Sequence, residues 1–152
     1  MKGIQLKSEA QVAKLRDVNL IVAEVLDVLT EASVPGTSTW ELDQLAARHV
    51  RHLKAEPAFL GYRGYPAVLC TSLNSTIVHG IPRKDVVLKP GDILSLDFGA
   101  FKDGWCGDSA RTLEIGTVSA EAHALVEATS QSLDQAILQC VPGRRIGDVG
   151  WA

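Results

Sequence analysis

Gly91–Glu114, GDILSLDFGAFKDGWCGDSARTLE, decides how this chain is read. It divides into two strands that meet at Lys102-Asp103-Gly104. An Asp-Gly pair favours a two-residue hairpin loop, because both central residues accept φ > 0. The first strand carries Asp97 inside an apolar run, and the second carries Asp108 soon after the turn. With Asp103-Gly104 as the loop, Asp108 pairs with Gly99 and stands diagonal to Asp97. With Lys102-Asp103 as the loop, Asp108 faces Asp97 directly. Either register puts both carboxylates on one face, and a three-residue loop would separate them. Directly opposed Cβ atoms would be about 4.5–5.5 Å apart. Carboxylates that close repel unless a cation lies between them, and bridging carboxylates are what two-metal centres use. The plainer alternative is a strand end and a polar turn. Against it, an unpaired carboxylate in so apolar a strand is costly.

Composition narrows the field. The chain has 152 residues, the length of one domain, with 46% hydrophobic and 22% charged residues, which is ordinary for a soluble globular protein. A formal charge of -3 gives no reason to expect a nucleic-acid or anionic-membrane surface. No apolar run approaches the length of a membrane span, and MKGIQLKSEA at the N-terminus lacks the apolar segment of a secretory signal. Cys70, Cys106 and Cys140 are widely spaced. An odd number without a CxxC pair suits reduced cytosolic thiols better than disulfides or a zinc ribbon.

The flanking segments read as helices and short strands. Ser8 with Gln11 forms a capping box, followed by Val12, Leu15, Val18, Val22, Val25, Leu26 and Leu29 at helical spacing. Ser38 with Glu41 repeats the device ahead of Leu42, Leu45, Val50 and Leu53. The two helices are expected to form an antiparallel pair joined at Val34–Thr37. His49 and His52 on the second helix lack a nearby acidic third ligand, so a solvated basic face is expected. Glu56–Pro66 is expected as a Gly/Pro loop, whose Tyr62 and Tyr65 line a pocket or cap the core edge. Ala67–Leu73 reads as a strand, Asn74-Ser75 as a turn, and Thr76-Ile77-Val78 as a second short strand ending at His79. That histidine precedes Gly80 and Pro82, where it is placed either to face a cleft or to serve structure. Ser119 opens a third helix, with Leu125, Val126, Leu133, Ala136, Ile137 and Cys140 on one side, and Gly147–Ala152 begins a fourth. The order predicts an α+β fold: an antiparallel sheet with helices packed on one side.

Taken together, YRGYP at 62–66, CTSLN at 70–74, VHGIP at 78–82, PGD at 90–92, Asp97-Phe98-Gly99, and Asp103-Gly104-Trp105 leading to Gly107-Asp108 resemble the type I methionine aminopeptidases. The likeness runs the length of the chain. It implies the N-terminal half of the pita-bread fold, in which two similar α/β halves enclose a dinuclear metal centre. It also implies removal of the initiator methionine from new proteins when the next residue is small, by metal-assisted hydrolysis. By position, Asp97 resembles the chelating aspartate and Asp108 the bridging one. His79 resembles the histidine that binds the substrate backbone and assists proton transfer. Phe59, Tyr62, Tyr65 and Cys70 resemble the walls of the methionine side-chain pocket, with His79 at its edge. Asn74 and Thr76 fall where the family can hold a monovalent cation. The implied cofactors are two divalent ions, with Co, Mn, Fe and Zn all compatible. Residue 106 is often His or aromatic in such proteins, and here it is Cys106.

The family's remaining ligands, one histidine and two glutamates, have no counterpart before Ala152. The expectation is therefore a single partial catalytic domain over 1–152, weak in metal affinity and of low activity alone. The alternative is a non-catalytic or assembly-dependent half that binds a partner chain or the ribosome. The resemblance further implies nascent polypeptide N-termini as partners, at the ribosome, in the cytoplasm. Self-association through the surface that the second half would cover is also expected. Neither nucleic acid nor membrane is expected to bind.

Overall fold

The computed structural model describes residues 4–152. Helix α1, Glu9–Ala32, starts at Ser8, whose side chain accepts from Gln11 N while the Gln11 side chain returns to the Ser8 backbone. Helix α2, Thr39–His52, starts the same way with Ser38 and Glu41. Each box gives side-chain acceptors to two N–H groups at the helix start, where the regular helical bonding has not yet begun. Strand β1 is only Glu56–Pro57. A short 3-10 turn at Tyr62–Gly64 leads towards β2, Leu69–Leu73. Strands β3, Ile93–Lys102, and β4, Trp105–Glu114, form the hairpin. Helices α3, Ala120–Leu138, and α4, Ile146–Trp151, follow.

The sheet has four strands, all antiparallel, around β3. Strand β4 pairs along the whole of β3, from Ile93↔Glu114 to Lys102↔Trp105. The other edge of β3 is shared end to end by β2, against Leu94–Phe98, and β1, against Ala100–Phe101. Alternation along β3 then sets the two faces. Leu94, Leu96, Phe98 and Ala100 join one hydrophobic core with Val18, Val22, Val25, Leu26 and Leu29 of α1 and Leu42, Ala46 and Val50 of α2. Fully burying such a side chain stabilises by about 1.5–3 kcal/mol, an upper range given a compact unfolded chain. This core is what fixes α1 and α2 on the sheet. The other face presents Ser95 and Asp97, both half-buried.

The expected α+β class and antiparallel sheet are borne out, with local corrections. Thr76–Val78 is not a strand: Ile77 is 88% exposed, and Asn74, at φ 50°, turns the chain off the sheet. Strand β2 begins at Leu69 rather than Ala67, because the N–H groups of Val68 and Leu69 donate to the buried Asp43 carboxylate at 2.9 and 3.1 Å. Finally, α3 touches β4 but buries no residue of its own, so its apolar stripe, with Leu125, Leu133 and Ile137, faces outward. On α2, His49 is not simply solvated but lies 3.1 Å from Glu24 of α1. No helix among the described residues is long and apolar enough to cross a membrane.

Candidate metal centre

The hairpin closes on Asp103 and Gly104, both at positive φ (49° and 78°), with Lys102 paired to Trp105. Of the two registers open to the sequence, this one pairs Asp108 with Gly99 and Asp97 with Ala110. The two carboxylates are therefore diagonal neighbours on the face away from α1. Strand β4 is pressed onto α1 from behind. A β-carbon at Gly107 would stand 3.1 Å from the backbone of Val18 and Asn19, so a side chain there would push α1 back from this close approach. Arg111 anchors the same strand, donating to Asp27 at 2.8 Å and Thr30 at 3.0 Å.

Above the aspartates lies a cleft of about 580 Å³, within the size range of small-ligand sites. Its lining includes Phe59, Tyr62, Tyr65, Cys70, His79, Asp97 and Asp108, all singled out by sequence. It also includes Arg63, Gly64, Pro66 and Ile81, which sequence reasoning missed. Ile81 could have been found from its place two residues beyond His79. The guanidinium of Arg63 sits over the Tyr62 ring, 5.5 Å from its centre. Asn74 and Thr76 do not reach the cleft. The Asn74 side chain donates to Asp92 at 2.8 Å and accepts from Ile93 N at 3.0 Å, and Thr76 N–H donates to Leu73 O at 3.0 Å.

The electrostatics are those of an uncompensated acidic pair. Burial, then the charge and hydrogen-bonding carboxyl of Asp108, push Asp97 up from 3.8 to about 6, and nearby His79 pulls weakly the other way. A cation at this spot would relieve both the repulsion and the desolvation. Cys70, cross-strand from Asp97, is pushed up by burial and by the charges of Asp97 and Asp108, against an opposing hydrogen bond with Tyr65. The donor set is hard oxygen, which fits a divalent ion. Among the described residues no group of three or more His, Cys, Asp and Glu side chains is gathered to hold a metal. Asp97 and Asp108 are the only carboxylates among the residues that line the cleft.

Comparison with known proteins places the chain in a family. The model of metallopeptidase family M24 matches residues 13–152, and the chain belongs to that family. Membership implies a divalent metal cofactor. Within the family, the chain is similar to methionine aminopeptidases. It is 45% identical to that of Aquifex aeolicus over 97% of this chain and 59% of the relative. It is 43% identical to methionine aminopeptidase 1 of Mycobacterium tuberculosis over 96% of this chain and 55% of the relative. The crystal structure of the Rickettsia prowazekii methionine aminopeptidase superposes with a TM-score of 0.93 at 35% identity, covering 98% of this chain and 60% of that one. The architecture is accordingly that of the pita-bread fold, and the chain spans 55–60% of the length of these relatives.

Proposed function

We propose that this chain supplies part of the active centre of a methionine aminopeptidase, with Asp97 and Asp108 as metal ligands and His79 as the group that meets the substrate backbone. The observation that carries the reading is the meeting of the diagonal carboxylate pair with an apolar, aromatic cleft. An N-terminal residue suits such a place: its free amine would bind an ion held by the carboxylates, and its side chain would lie against Phe59, Tyr62, Tyr65, Cys70 and Ile81. A thioether is apolar and flexible enough to fill a cleft of this shape. Two divalent ions of the Co, Mn, Fe or Zn kind, when bound, would polarise the scissile carbonyl and lower the pKa of an attacking water. The residues of this chain hold, orient and exclude: the aspartates bind, the aromatic walls keep water from the side chain, and His79 positions and assists proton transfer.

The remaining ligands expected for the family, a histidine and two glutamates, have no counterpart in residues 1–152. We therefore propose a partial catalytic domain whose aspartates bind one divalent ion weakly and whose activity alone is low. The exposed Leu125, Leu133, Ile137 and Leu138 of α3 favour a second reading, in which the full site forms only on assembly with another chain. The proposed substrates are nascent polypeptide N-termini, met at the ribosome in the cytoplasm. The free thiols of Cys70, Cys106 and Cys140 support that compartment.

The test pairs binding with turnover. Titration with Mn(II), followed by electron paramagnetic resonance, should show one weak site that disappears in Asp97→Ala and in Asp108→Ala. Absence of binding would remove the metal reading. A Met-Gly peptide should be hydrolysed slowly or not at all by the chain alone. Turnover that vanishes in Asp97→Ala would overturn the claim of low activity while supporting the assigned ligands.

A further inference from the structure

The backbone at Gly80 is gripped from several directions. Its carbonyl accepts from Thr71 N–H at 2.8 Å and from the Tyr65 hydroxyl at 3.0 Å. Its N–H donates to Ser72 Oγ at 3.1 Å, and Ser72 is buried. The same Tyr65 hydroxyl lies 3.1 Å from Leu69 O, so one phenol ties Gly80 to β2. The contact leaves no room for a side chain: a β-carbon at residue 80 would stand 2.2 Å from Thr71 O. The residue before is His79, held at φ 58°, a region that non-glycine residues occupy at a cost. Ile77 and Val78, which lead into it, are exposed and make no ladder. The orientation of His79 therefore depends on how firmly Gly80 is docked.

We propose that Tyr65 is the positioning residue for His79, acting through its hydroxyl on the Gly80 carbonyl, with Ser72 as the second anchor. This rests on the reading of His79 as the substrate-facing group. It separates two roles of Tyr65: its ring walls the cleft, and its hydroxyl fixes the histidine. Burial and the neighbouring Cys70 raise the phenol well above its ordinary range, so the hydroxyl stays a donor at any working pH.

Tyr65→Phe keeps the wall and removes the clamp. In the metal-free chain, the Thr71 amide, which reports docking of Gly80, should exchange with solvent about tenfold faster than in the wild type. The His79 ring should change from one set of carbon–proton NMR signals to split or broadened sets. The Ala58 amide, which donates to Gly99 O at 2.9 Å, should keep its protection and so exclude general loosening. Ser72→Ala should reproduce the His79 change with Tyr65 intact, which keeps the test open if one variant folds poorly. Unchanged His79 signals in both variants would overturn the proposal, whether or not Thr71 exchange accelerates. Because no metal or substrate is present, the outcome is independent of the peptidase reading. That reading fails separately if Mn(II) does not bind.

Discussion

The Phe59 ring occupies the space that a side chain at Gly99 would need: a β-carbon there would stand 2.7 Å from the ring edge and 3.2 Å from the Ala58 β-carbon. Gly99 is also the cross-strand partner of Asp108 and lies two residues from Asp97. The missing side chain thus sets an aromatic wall beside the carboxylates. Gly99→Ala should destabilise the fold by about 1–3 kcal/mol, the usual cost of overpacking, measured by urea denaturation. Phe59→Ala in the same background should recover most of that loss. A double variant no more stable than Gly99→Ala would show that the ring is not what the new methyl meets.

Asp97 gives the metal-free chain a pH dependence of definite sign. Its carboxyl titrates near 3.8 in the unfolded chain and at about 6 in the fold. Between those values the folded state holds the extra proton, so the stabilisation is fully present below 3.8 and is lost as pH rises through about 6. Thermal unfolding in a chelator should therefore show Asp97→Asn gaining on the wild type as pH rises across this window. Mn(II) should reverse the wild-type loss above pH 6, because the ion replaces the proton between the carboxylates. Parallel wild-type and Asp97→Asn curves would contradict the assignment.

Asp43 is the buried carboxylate that starts β2. Replacing it with alanine leaves the Val68 and Leu69 N–H groups without their acceptor. Each stranded buried donor costs about 1–3 kcal/mol. Asp43→Ala should lower stability by about 2–4 kcal/mol in denaturant titration, and Asp43→Asn, which keeps a carbonyl acceptor, by clearly less. Equal losses in the two variants would mean that the charge, not the acceptor, matters.

Much of this arrangement was legible because its causes are local. Both capping boxes at Ser8 and Ser38 are read within four residues, and the hairpin is read from Asp103-Gly104 and from the aspartates on either side. The choice between its two registers was not, since both keep the carboxylates on one face. What escaped depends on distant partners. Asp43 looks like any acidic helix residue until Val68 and Leu69 are folded onto it. Ser72 carries no sign of receiving Gly80. Thr76-Ile77-Val78 has strand composition, yet Asn74 turns towards Asp92 and Ile93 and the segment leaves the sheet. Strand β1 hides in a Gly/Pro loop because two residues against Ala100 and Phe101 have no pattern of their own. The stripe on α3 has helical spacing without a partner in the described residues, which periodicity alone does not distinguish from core.

The hairpin that brings Asp97 to Asp108 closes a two-residue turn, and its ladder joins residues near in sequence. Such contacts cost little loop-closure entropy, and isolated hairpins form in about 1–10 μs. Strand β2 and the Ala58–Phe59 wall lie earlier in the chain and close longer loops to reach β3. The carboxylate pair is thus the part of the cleft that topology lets form earliest, ahead of its own walls. Pulse-labelled hydrogen exchange during refolding should find amides of the β3–β4 ladder protected before that of Ala58, which donates to Gly99 O from the N-terminal side of the cleft. A chain in the act of folding would then bring its two aspartates together before the aromatic wall stands beside them.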